Sequence, residues 1–206
     1  MAGTKVDFKR ELRELYSAKR DPTFVEVPEL QFAMVDGHGD PNEAAEYAEA
    51  VQALFSVSYT ARFALKRAPD GLDYGVMPLE GLWWAKDMSA FTTGDKSSWD
   101  WTMMIMQPAQ VTREVFDHAC AAASRKNSVP AIERLRLGPF SEGRSAQLLH
   151  VGPYATEGPT IQRLHAFIAD QGCEPVGKHH EIYLNDPSRT APQKLRTIIR
   201  QPARPS

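Results

Sequence analysis

Apolar residues recur along this chain in two rhythms, and the switches between them predict its elements. Near the N-terminus Phe8, Leu12, Leu15 and Tyr16 return at helical spacing among charged residues. This predicts an amphipathic helix over Lys5–Lys19, ended by Asp21-Pro22. The run Leu30–Val35 reads as a strand stopped by Gly37 and Gly39. Asp40-Pro41-Asn42-Glu43 then starts a helix: Asp40 can accept from the first free N–H groups, Pro41 suits the first helical position, and Glu43 can reach back. Tyr47, Val51, Leu54, Phe55, Ser58, Ala61 and Leu65 form its apolar side, and it ends near Lys66, before Pro69-Asp70-Gly71. Strands follow over Gly75–Trp84 and Trp99–Gln107. The polar, glycine-containing stretch Lys86–Ser98 between them reads as a mobile loop. Pro108 closes the unit.

The second half repeats this order. Thr112 caps a helix that runs to about Arg125 and breaks at Asn127-Ser128-Val129-Pro130. Ala131–Leu137 reads equally as helix end or strand. Ser145–Val151 is a strand, and Gly158-Pro159 opens a helix with Ile161, Leu164, His165 and Ile168 on one face, ended by Gly172. Strands over His179–Leu184 and Leu195–Arg200 follow, with Pro202 closing the unit. Strand–helix–strand–strand therefore occurs twice, supported by the echo of Met106-Gln107-Pro108-Ala109 in Arg200-Gln201-Pro202-Ala203. The expected fold is α+β, a pseudo-twofold antiparallel sheet with helices on one face and a ligand groove on the other. It forms one domain over 1–206: an N-terminal helical extension (1–23), a first half (24–110) and a second half (111–206). Ligand sites favour such seams between halves.

Composition narrows the function classes. In 206 residues, 24 Lys and Arg against 26 Asp and Glu leave a formal charge of −2. No net positive field attracts phosphates, which argues against direct nucleic-acid binding. Hydrophobic residues at 42% are ample for a packed core. The longest apolar runs fall far short of a bilayer of about 30 Å, and no apolar stretch follows the charged N-terminus. Two cysteines, Cys120 and Cys173, do not make a disulfide framework. A cytoplasmic protein is expected. Neither metal nor cofactor is expected: His179 and His180 are adjacent on a strand and diverge, and no phosphate-binding glycine motif occurs.

All four tryptophans fall between Trp83 and Trp101, namely Trp83, Trp84, Trp99 and Trp101. So many indoles on one hairpin suit a wall for a flat or cationic ligand, since each must also place its N–H; the same rings could instead seal the sheet against its helices. Glu80 and Glu181 each interrupt an apolar strand. By alternation Glu181 shares a face with His179 and Tyr183, and Glu80 with Leu82 and Trp84. A carboxylate among rings is poorly solvated, so its pKa rises or it finds a cation. The bland alternative is an exposed strand position, or an ion pair with Arg196 or Arg200.

Three stretches then carry a resemblance: His150-Val151-Gly152-Pro153-Tyr154, His180-Glu181-Ile182-Tyr183-Leu184-Asn185-Asp186-Pro187, and Leu79-Glu80-Gly81-Leu82-Trp83-Trp84. Together they resemble the GyrI-like small-molecule-binding family. Gly37-His38-Gly39-Asp40-Pro41-Asn42 and Tyr59-Thr60 look like its stand-alone branch, which includes cyclopropanoid cyclopropyl hydrolases. The resemblance implies a duplicated fold with a central groove for a bulky aromatic or cationic small molecule, and a second-half glutamate, here Glu181, as the key acid.

On this reading Glu181 and Tyr154 are the catalytic candidates. Glu80, Trp84, Trp99, Trp101, His179 and Tyr183 are the substrate-binding ones. The expected activity is opening of the cyclopropane of flat DNA-alkylating natural products by water addition in an aromatic cage. Two readings stay open beside it: a non-catalytic drug-binding or sequestering protein, and a topoisomerase-interaction module.

Overall fold

A computed structural model describes residues 4–69, 71–85, 96–126 and 128–206. The loop expected over Lys86–Ser98 lies outside them except for a 3-10 turn at Lys96–Ser98, as do Asp70 and Asn127. In chain order the elements are β1 (Thr4–Val6), α1 (Phe8–Glu11), α2 (Arg13–Tyr16), β2 (Thr23–Val27), β3 (Leu30–His38), α3 (Ala45–Arg67), β4 (Leu72–Tyr74), β5 (Leu79–Trp84) and β6 (Asp100–Met106). Then come α4 (Arg113–Lys126), β7 (Arg136–Phe140), β8 (Gly143–Val151), α5 (Gly158–Asp170), β9 (Cys173–Pro175), β10 (His179–Tyr183) and β11 (Arg196–Pro205). The fold is α+β. The repeated order reads β3–α3–β5–β6 and β8–α5–β10–β11, with a short extra strand, β4 or β9, after each central helix.

Several elements differ from the sequence expectation for identifiable reasons. The N-terminal helical segment is two short helices, broken at Leu12, and Thr4–Val6 is a strand because it pairs in parallel with β4. Helix α3 starts at Ala45 and not at Pro41. The Asp40 carboxylate accepts from the Asn42 backbone N–H at 2.8 Å and its side-chain amide at 2.7 Å, which makes a local turn instead of a cap. Strand β11 runs through Pro202, whose carbonyl accepts from the Val176 N–H at 2.8 Å. The ambiguous Ala131–Leu137 resolves into a 3-10 turn, Pro130–Arg134, followed by β7.

The chain packs as two units. One comprises residues 4–11, Leu30–Met77 and Trp83–Phe140; the other comprises Leu12–Glu29, Pro78–Leu82 and Ser141–Ser206. The chain thus changes unit inside β5. In the first unit β3 is the middle strand between β6 and β7, antiparallel to both. Helix α3 buries Leu54, Val57 and Ala61, and packs against α4, which buries Phe116, Ala119 and Ala123. Gly37 is paired with Trp101 across β3 and β6. A Cβ at Gly37 would meet the Trp101 ring at 2.1 Å, so only glycine lets the indole lie there.

In the second unit the strand order is β2–β8–β11–β10, with β5 beside β10 and β9 on the end of β11. Leu164 and Ile168 of α5 pack on Ala146, Leu148, Ile199 and Ala203, with Phe24 and Phe167 at the edge, 5.2 Å apart between ring centroids. Each fully buried aliphatic side chain here contributes about 1.5–3 kcal/mol. The other face of this sheet is not bare, because the segment 12–29 joins it. Gln147 donates to the Glu14 carbonyl at 2.7 Å, and Arg200 to the Leu15 carbonyl at 2.6 Å.

Candidate functional site

Strand β10 sorts its side chains by alternation. His179, Glu181 and Tyr183 project to one face, and His180 and Ile182 to the other. Register decides which face is which. Glu181 pairs with Ile199, and paired residues of an antiparallel ladder point the same way. Ile199 lies under α5, so Glu181 stands on the helix-bearing face of its unit. The sequence reading had put the groove on the face away from the helices; in this unit the acid is on the face that carries one.

Glu181 is 14% exposed at its side chain and its carboxylate is held from several directions. His179 Nε2 lies 3.2 Å from Oε1, and the Tyr183 hydroxyl donates to Oε2 at 2.8 Å. Glu157, immediately before α5, is buried at 5% exposure. Burial disfavours the Glu181 charge. The His179 hydrogen bond and charge, with the Tyr183 hydroxyl and Glu157, outweigh burial, so the carboxyl is held below its ordinary value. Of the two outcomes open to an acid among rings, this one found partners.

Tyr154, in the 3-10 turn Tyr154–Thr156, meets the Tyr183 ring edge-on at 5.6 Å. Its phenol is pushed up to about 12, by burial first and then by Glu157, Glu181 and Asp186. At 38% exposure it stays a neutral donor open to solvent. His165, on α5, is lowered by burial and by the neighbouring His179, against a hydrogen bond that its ring donates to Gln201. His150 is satisfied structurally: its Nδ1 lies 2.9 Å from the Thr160 hydroxyl.

Glu80 does not join this group. It is 1% exposed on the opposite face, accepting from the Tyr16 hydroxyl at 2.7 Å and facing His180 Nε2 at 3.0 Å. His180 Nδ1 reaches Glu142 at 2.8 Å, and Arg200 bridges Glu142 at 3.3 Å and Gln147 at 2.9 Å. Burial lowers the His180 pKa, yet Glu142 and Glu80 overcome it and push the imidazole up to about 9. Burial likewise raises Glu142, but His180 and Arg200 hold it below its ordinary value. Arg200 therefore serves this buried network and not Glu181.

The tryptophans also separate. In the first unit Trp83 stacks on Tyr47 of α3 at 6.1 Å and meets Trp99 edge-on at 5.8 Å. Trp101 meets Tyr47 at 5.4 Å and is 0% exposed. Trp101, expected to line the ligand, is thus core, closed in by Tyr47 and Gly37. Trp84 points away from Trp83 by alternation and is half-buried, as is Trp99, over which Lys96 Nζ sits at 5.4 Å. Among the described residues no group of three His, Cys, Asp or Glu is arranged to hold a metal ion, and no helix is long and apolar enough to cross a membrane.

Sequence reasoning brought together Glu181, His179, Tyr183 and Tyr154, and missed Glu157. Its one signal was an acid directly ahead of the Gly158-Pro159 helix start; nothing in chain order ties it to Glu181.

Comparison with known proteins agrees with this architecture. Residues 20–204 match the model of the GyrI-like small molecule binding domain. The chain belongs to the GyrI-like family. A conserved protein of Listeria innocua, described as uncharacterized, is 39% identical in solved form, over 97% of this chain and all of that one, with a TM-score of 0.89. A hydrolase from Listeria innocua is 37% identical over 98% of this chain and all of that one, with a TM-score of 0.87. A further structure of a hydrolase from the same organism is also 37% identical, over 97% of this chain and all of that one, at a TM-score of 0.84. None of the curated proteins matches the chain. A GyrI-like domain is a small-molecule-binding domain, and this one has hydrolases among its structural neighbours.

Proposed function

We propose that this GyrI-like protein is a hydrolase that detoxifies bulky aromatic electrophiles, opening a strained cyclopropane conjugated to a carbonyl by adding water. The observation that carries the reading is the Glu181 carboxylate, anchored on both oxygens by His179 and Tyr183 with the neutral phenol of Tyr154 beside it. Glu181 positions a water and takes its proton. The water oxygen bonds to the ring carbon, the C–C bond breaks, and its electron pair runs into the conjugated carbonyl. Tyr154 donates to the developing oxyanion, and the proton held by Glu181 completes the product. Tyr183 and His179 keep the base in its accepting form.

Water addition leaves the product one water heavier, which mass spectrometry reads directly after incubation with a spirocyclopropyl substrate. Glu181→Gln keeps the shape and removes the base, and should cut turnover by about 10²–10⁴-fold while preserving binding. Turnover that survives this change refutes the role of Glu181. A ligand recovered unchanged from the wild-type protein, with altered tryptophan emission, favours sequestration without chemistry. The family's small-molecule-binding character supports that second reading.

A further inference from the structure

Helix α3 buries Ala50, Ala53, Leu54, Val57 and Ala61 on its core side. On the side turned away from them Glu49, Gln52, Ser56, Tyr59, Phe63 and Lys66 follow one another at alternating steps of three and four residues. That is the spacing of a seam along which two helices pair. Tyr59 is 47% exposed and Phe63 46%, and they are two of the three exposed large aromatic side chains among the described residues. Single exposed rings are ordinary; rings on successive turns of one helix make a continuous patch, the mark of an interaction surface.

The rings are set in place before any partner arrives. Tyr59 stacks on Phe55, with 6.3 Å between centroids and 28° between planes. The Arg62 guanidinium sits 5.1 Å over the Phe63 ring, and Arg62 is itself tied to Asp73 at 2.7 Å and to the Tyr74 carbonyl. Side chains ordered in advance lose little freedom on docking.

Charge selects the partner. The seam begins with an acid, Glu49, and ends with a base, Lys66, which stays 48% exposed at its side chain. Arg62, Lys66 and Arg67 outnumber Asp73, which bonds the first two, so this end of the helix keeps a positive surplus. A second α3 laid antiparallel brings Lys66 of the copy to Glu49, Phe63 of the copy to Gln52, and Tyr59 of the copy to Ser56, whose small side chain leaves room for a ring. A parallel copy sets Glu49 on Glu49 and Lys66 on Lys66, which repel. The seam therefore complements itself in one direction only.

We propose that α3 is the interface of a twofold dimer of this chain, with the two helices antiparallel and Tyr59 and Phe63 supplying the buried rings. A face one helix wide falls at the small end of the interface range, under about 1,200 Å² in all, so the association is weak and concentration-dependent.

Sedimentation equilibrium of the full chain from micromolar to millimolar concentration tests it. The wild type should pass from one copy toward two as concentration rises, and less readily in high salt, which screens the end pairs. Tyr59→Ser and Phe63→Ser, at exposed positions that leave the melting temperature near that of the wild type, should each weaken the dimer at least about tenfold. Glu49→Lys and Lys66→Glu supply a second check. Each variant alone faces like charges at both ends of the seam and should stay monomeric. Mixed together they restore opposite charges at both ends and should form a one-to-one dimer. A wild type that stays single up to millimolar concentration overturns the proposal, as does a dimer unmoved by Tyr59→Ser and by both charge reversals. Monomers that instead bind phosphatidylglycerol vesicles, and lose that binding in Phe63→Ser, assign the stripe to a lipid surface and overturn it equally.

Discussion

Raising the pH through 9 should discharge a cation locked inside the protein. His180 is 1% exposed between the carboxyl groups of Glu80 and Glu142, with Arg200 behind Glu142. Its imidazole is pushed up to about 9 from an ordinary 6.5, with burial opposing and the two carboxyl partners prevailing. A raised folded-state pKa stabilises the native state fully below 6.5, and the contribution is lost as pH rises through about 9. At 1.36 kcal/mol per pH unit the whole effect is on the order of 3 kcal/mol. Urea midpoints at half-unit steps from pH 6 to 10 read it directly. The wild type should lose on the order of 3 kcal/mol across that window. His180→Gln, which cannot titrate, should start lower by about 3–5 kcal/mol because it uncouples buried charges, and then run flat. Parallel curves for the two proteins would refute the buried imidazolium.

Two other perturbations are as direct. Gly37→Ala drives a methyl into the Trp101 ring, 2.1 Å from where it would sit, and should cost at least about 1–3 kcal/mol in a thermal melt; an unchanged melt would mean the indole does not lie there. Tyr16→Phe strips the 2.7 Å donor from buried Glu80 and should cost about 1–3 kcal/mol in urea unfolding without affecting any activity that depends on Glu181.

Period-two alternation made the Glu181 group legible. Once His179–Leu184 reads as a strand, His179, Glu181 and Tyr183 must share a face, and His180 must leave it. Helices α4 and α5 were legible for the same kind of reason, because apolar spacing and a breaking residue mark them locally. Strands β2 and β4 were not. They are five and three residues long, too short for alternation to stand out, and they form because a neighbouring strand offers its backbone. The tryptophans misled in part because clustering in sequence says nothing of which rings a glycine and a helix will enclose.

Local pattern alone determined where the central helices of the two halves fall, which strands repeat, and which side chains travel together along a strand. Those properties depend on backbone geometry within a few residues. Tertiary structure decided which face of β10 lies under α5, and that Glu80 would join Tyr16, 64 positions away, and His180. Such contacts depend on register and on which elements pack together. A carboxyl group's environment, and hence whether it serves structure or chemistry, is set by partners that chain order does not reveal.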